Sequence, residues 1–171
     1  MPLTPLHLGP ALLLAVIVRR RYEGFALLAG SVVLDIEPIL VFLTNTPAPL
    51  HGIAHTYVAA VTMGTVTGIV IWILRPLLDL IPLPRSFASG SSVWTDCAAA
   101  IVGTCSHVLL DSFLYPEMNP LFPILGNPFL GMVSHYSLYV YCTYLGLAGL
   151  TPLVALALMD SRSHRENDQP E

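Results

Sequence analysis

Residues 24 to 44 read GFALLAGSVVLDIEPILVFLT. A helix that spans a bilayer needs about 20 mostly apolar residues, and this run is long enough although it carries Asp35, Glu37 and Pro38 in its second half. Two questions follow: what solvent surrounds the chain, and what two carboxylates do inside such a segment.

Composition answers the first. The chain has 171 residues, 54% of them hydrophobic and only 11% charged, and a mean hydropathy of +0.70, far from the balance of a soluble domain. Further apolar runs occupy residues 54 to 74, 93 to 114 and 135 to 159, and a shorter one, 2 to 18, comes first. In that first run the positive charges follow the apolar part, the reverse of a secretory signal, so it reads as a retained helix. Proline-rich or Gly/Ser-rich breaks separate the runs at 45 to 49, 82 to 84 and 89 to 92. Residues 115 to 128, YPEMNPLFPILGNP, are too broken to span and read as an outer or partly re-entrant loop. The expected architecture is an all-α, multi-pass transmembrane bundle of about five helices in a single domain over residues 1 to 159, with residues 160 to 171 as a polar, disordered tail.

All seven basic residues are arginines, at 19 to 21, 75, 85, 162 and 165. With five spans these fall on one side, so the positive-inside rule puts that side and the carboxyl terminus in the cytoplasm and the amino terminus outside, in an integral cell-membrane protein. The charge pattern lacks the basic footprint of a nucleic-acid binder. Cys97, Cys105 and Cys142 show no CxxC spacing and read as packing residues. Trp72 and Trp94 suit an aromatic belt, while Asp79, Asp96 and Asp160 sit near the arginine-side helix ends, where solvation or capping accounts for them.

The second question turns on depth. At about 1.5 Å per residue, Asp35 lies about 17 Å and Glu37 about 20 Å from the arginine end of their run, and His107 and Asp111 about 21 and 27 Å along theirs. His7, His51, His55 and His135 arrive at the same outer level from other parts of the chain. His107 and Asp111, in SHVLLDS, are four apart and share a helix face; His51 and His55, in HGIAHT, share one if their helix starts by residue 50. Asp35 and Glu37 would splay on a regular helix, but Pro38 disfavours helical geometry at Glu37, and a local break lets both carboxylates reach one site. Imidazole with carboxylate suits zinc or another divalent ion, and such an ion acidifies its bound water toward ~7. The preferred ligands are Asp35, His55, His107 and Asp111, followed by His7 and His51, with Glu37 as the catalytic base. His135 reads instead as a helix-start residue at the headgroups. The donors suffice for one or two ions.

The same residues carry a family resemblance. PLTPLHLG, LDIEP, HGIAHT and HVLLDS, in that order between Pro2 and Asp111, resemble the membrane-bound predicted metal-dependent hydrolases that include LexA-regulated bacterial inner-membrane members, with a weaker likeness through NPLFPILGNP. The resemblance implies a multi-pass protein with His and Asp metal ligands, corresponding to His7, Asp35, Glu37, His55, His107 and Asp111. Where the family often has Asp-x-Asp, this chain has Asp35-Ile36-Glu37, and where the family has Arg before the Gly, it has His51, either a further metal ligand or a substitute for that Arg in holding an anionic substrate. The expected activity is hydrolysis of an ester or phosphoester, small or lipid-linked, by metal-activated water near the outer face. The alternatives are a divalent-cation or proton transporter using the same cluster, or a non-catalytic membrane subunit stabilised by metal. The cluster is one-sided, which favours a site over a conduit. The oligomeric state is left open.

Overall fold

The structure is a computed structural model that describes residues 5 to 84 and 86 to 167. Its elements are α1 (Leu8–Val18), α2 (Arg21–Val33), α3 (Ile36–Thr44), α4 (Tyr57–Leu78), α5 (Val93–Ser112) and α6 (His135–Asn167), with short 3-10 turns at Pro5–His7 and Ile53–His55. Four segments are long and apolar enough to cross a membrane: Arg21–Thr44, which joins α2 and α3, Tyr57–Leu78, Val93–Ser112 and His135–Ser161; α1 is a shorter apolar helix. The all-helical bundle of about five helices expected from the sequence is what the chain forms. Large apolar side chains stand on its outside, among them Phe42, Ile73, Tyr144 and Leu147, as they must where lipid is the solvent. Thr62, Thr65, Thr143 and Thr151 return their hydroxyls to the carbonyl four residues back, so these four donors do not face hydrocarbon unpaired.

The core is the trio α2, α4 and α5; α1 packs on α2, and α6 packs on α1. Without a hydrophobic effect between helices in lipid, small residues that let backbones approach closely set the packing. A Cβ on Gly103 would lie 2.3 Å from the Leu27 carbonyl oxygen, one on Gly30 2.3 Å from that of Ala100, and one on Gly68 2.4 Å from Cys97 Cα. These positions admit nothing larger than glycine without moving a helix.

Three boundaries differ from expectation. The helix after the 45 to 56 loop starts at Tyr57, because Thr56 caps it by accepting from Ala59 N–H at 3.2 Å. The break in the 24 to 44 run falls at Leu34 and Asp35, between α2 and α3, one turn before Pro38. The polar stretch from Asp160, expected to be disordered, continues α6 as far as Asn167, since propagating an existing helix costs little and Arg162, Arg165 and Glu166 are good helix formers; residues 168 to 171 lie outside the described residues.

The arginines of 19 to 21 and 75 gather at one end. Arg20 donates to Gly90 O at 2.6 Å and Arg21 to Leu78 O at 3.2 Å. Asp96, read from the sequence as a solvated or capping residue, is instead fully buried, accepting from Arg75 Nη2 at 2.6 Å and Ser91 Oγ at 3.1 Å. Asp79 keeps a solvated side chain but accepts from the Tyr22 hydroxyl at 2.8 Å. Cys97 and Cys142 are buried free thiols, and Trp94 is 80% exposed, in keeping with packing and belt roles.

The glycine contacts carry a prediction. Gly103→Val should destabilise the protein by about 1 to 3 kcal/mol or more through overpacking, seen as a lower melting temperature in detergent. Gly90→Ala, where an added Cβ meets nothing within 4 Å, should leave the melting temperature unchanged.

Candidate metal centre

The site begins with the four-residue spacing on α5. His107 and Asp111 share a face, both are buried, and His107 Nε2 stands 3.1 Å from Asp111 Oδ2. The other ring nitrogen is fixed by the break in the neighbouring segment. Asp35 N–H turns to Val32 O at 3.1 Å instead of to Ser31 O, the partner a regular helix would use. The Ser31 carbonyl accepts from His107 Nδ1 at 2.8 Å. The same break turns Asp35 inward, its Oδ1 3.9 Å from His107 Nε2.

His51 and His55 reach the cluster from a loop and the 3-10 turn, not from one helix face. The loop is held by Glu37, whose carboxylate accepts from Gly52 N–H at 3.0 Å, Ala54 N–H at 3.3 Å and His55 Nδ1 at 2.8 Å. Gly52 suits this approach, because a Cβ at that position would lie 2.8 Å from Glu37 Oε1 and displace the carboxylate. His51 Nδ1 donates to Glu117 Oε1 at 2.9 Å, and its ring stacks on Tyr115 at 3.7 Å between centroids. Burial pushes the His51 pKa below its ordinary value, against a smaller opposing effect of Glu117, which keeps the ring neutral at pH 7. His7, in the 3-10 turn before α1, sets Nε2 3.1 Å from Asp111 Oδ1 and packs edge-on against His107.

A carbonyl or a carboxylate can only accept, so His51, His55 and His107 all donate from Nδ1, which leaves Nε2 as the atom each would offer to a metal ion. Those Nε2 atoms converge on Asp111 Oδ2, at 3.8 Å for His51, 3.7 Å for His55 and 3.1 Å for His107. In His55 and His107 the Nε2 atom is buried and, apart from facing the Asp111 carboxylate, makes no hydrogen bond. A ring fixed through one nitrogen, with the other aimed at a shared centre, is the arrangement found around metal-bound histidines. Two sets have donor atoms within 4.8 Å of one another: His7, Asp35 and His107, and His51, His55 and Asp111. Either could hold a metal ion.

All six ligand positions read from the sequence thus meet in one cluster. His135, at the same expected level, is exposed at the start of α6. Glu37, expected as the base, has both oxygens engaged by the 52 to 55 loop and holds His55 Nδ1. Glu117 was not singled out by the sequence, although an acid in an otherwise uncharged proline-broken loop was a signal. That loop folds across the site end, with Met118 packed on Leu34, Ala60 and Val108 and Pro120 O accepting from Tyr57 N–H at 2.9 Å.

The model of a domain of unknown function, DUF4184, matches residues 1–171. The chain belongs to the DUF4184 family. No curated protein and no solved structure matches it.

If Glu37 acts by orienting His55, Glu37→Gln should weaken metal binding by about 10- to 100-fold in chelator competition. Asp79→Asn, at the arginine end, should leave it unchanged.

Proposed function

We propose that this protein is a membrane-embedded, metal-dependent hydrolase acting on an ester or phosphoester. The observation that carries this reading is the pair of buried Nε2 atoms of His55 and His107, which make no hydrogen bond and face the Asp111 carboxylate while their Nδ1 atoms are held elsewhere. Nitrogen and carboxylate donors without a thiolate suit zinc. A divalent ion held there would supply an acidified water and a Lewis acid for a carbonyl or phosphoryl oxygen. The resemblance of PLTPLHLG, LDIEP, HGIAHT and HVLLDS to membrane-bound predicted metal-dependent hydrolases supports the same chemistry.

The chain's own residues divide the remaining work. A cleft of about 210 Å³, lined by His51, Gly52, Thr56, Glu117, Phe122 and Leu125 among others, adjoins the cluster. Glu117 stands at it with about a third of its side chain exposed and one oxygen on His51. We assign to it, in place of Glu37, the uptake and return of a proton at the substrate. Ile124 and Leu125, 68% and 79% exposed, sit beside this opening where lipid chains would meet them, which supports a lipid-linked substrate. By the positive-inside rule the arginine end is cytoplasmic and the cleft faces outward, with the amino terminus outside.

The test is turnover of p-nitrophenyl phosphate and of phosphatidic acid in mixed micelles by purified protein. Chelation should abolish activity and zinc restore it, and Glu117→Gln should lower kcat by about 10²-fold or more when measured at saturating zinc. Activity that survives full chelation, or a Glu117→Gln variant with normal kcat, would contradict the assignment.

A further inference from the structure

We infer that the cluster holds two divalent cations at once, bridged by the carboxylate of Asp111, with His7, Asp35 and His107 on one ion and His51 and His55 on the other. The inference rests on the metal centre of the reading above but not on hydrolysis.

Three observations carry it. The first is the division of donors: His7, Asp35 and His107 form one set and His51, His55 and Asp111 another, each with its donor atoms within 4.8 Å. A single zinc ion, which accepts about four ligands in a protein site, cannot take all six. The second is the position of Asp111 between the sets. Its Oδ1 lies 3.1 Å from His7 Nε2, and its Oδ2 lies 3.1 Å from His107 Nε2 and 3.7 and 3.8 Å from those of His55 and His51. One carboxylate therefore addresses both sets.

The third observation is charge. Asp35, Glu37, Asp111 and Glu117 bring four carboxylates to the cluster, with Asp35 and Asp111 buried. The sequence has no Lys or Arg from residue 22 to 74 or from 86 to 161, and Arg75 is committed to Asp96 at the other end. An uncompensated charge at membrane depth is costly. One divalent ion balances the two buried carboxylates, and a second matches the partly exposed Glu37 and Glu117, 22% and 34% exposed. A pair of ions about 3.5 to 4 Å apart, sharing a carboxylate, is the usual spacing of two-metal sites.

The experiment uses full-length protein in detergent, stripped with chelator, reloaded with Mn²⁺ and freed of excess ion. Elemental analysis should give two Mn²⁺ per chain, and the electron paramagnetic resonance spectrum should show an exchange-coupled pair in place of the six-line signal of an isolated ion. Asp35→Asn, which keeps the shape of the side chain, should retain one ion and show the six-line signal, as should His55→Ala. Asp111→Asn should lose the coupling. One ion per chain in the wild type at saturating Mn²⁺, or two ions without coupling, overturns the proposal, and the wild-type measurement decides even if a variant fails to fold. Two coupled ions without turnover on any ester would overturn the hydrolase reading alone, and turnover with a single ion would overturn the pair alone.

Discussion

A carboxylate taken out of water inside a membrane must be surrounded by groups that compensate it, and Asp111 is where this chain meets that requirement. The side chain is 2% exposed, and four imidazoles reach it from three separate stretches of sequence. Three parts of the chain have conformations that serve the meeting. The amino terminus makes a 3-10 turn that presents His7, and the 51 to 55 loop folds around Glu37 to bring in His51 and His55. The 24 to 44 run gives up helical hydrogen bonding at Leu34 and Asp35, and that same interruption turns in one acid and frees a carbonyl for His107. Irregular backbone at membrane depth is tolerated where it is buried in protein or lines a cavity, and here it does both.

This geometry depends on how closely the helices approach. Gly103 and Gly30 place α5 and α2 in backbone contact, so the hydrogen bond from His107 to the Ser31 carbonyl becomes possible. Thr104 adds a bond from its hydroxyl to Ala60 O at 2.8 Å, tying α5 to α4 within the same trio. At the far end the arginines, Asp79 and Asp96 form a separate polar network that joins α2, α4 and α5. The bundle is thus fastened by polar contacts at both ends and by small residues between them, with α1 attached to one side and α6 attached through α1.

The helices were legible because apolar run length alone specifies a span, and the depth of each polar residue followed from helical rise. That arithmetic brought His7, Asp35, His51, His55, His107 and Asp111 to one level before any contact was known. It failed where backbone leaves the helix. Glu37 and Asp35 are two apart and were expected to share one site; the break sends Asp35 to the histidines and leaves Glu37 behind the 52 to 55 loop. Residues 51 and 55 fit a helical pair by spacing, yet Thr56 and the glycine at 52 place them before the helix. Glu117 could not be placed because no periodicity runs through a loop with four prolines. Asp96 was misread because its partner Arg75 is twenty-one residues away, and only the antiparallel packing of α4 and α5 joins them. His135 had the right depth and the wrong direction, which run length does not encode.

The central claim is that the histidine nitrogens and Asp111 form a metal centre, and the most direct measurement is X-ray absorption at the zinc edge of the zinc-loaded protein. The account requires nitrogen and oxygen neighbours at about 2.0 to 2.2 Å and the outer scattering that imidazole rings produce, with imidazole scattering diminished in a His55→Ala, His107→Ala double variant. Absorption dominated by sulfur at about 2.3 Å, or a spectrum without imidazole scattering, would contradict it.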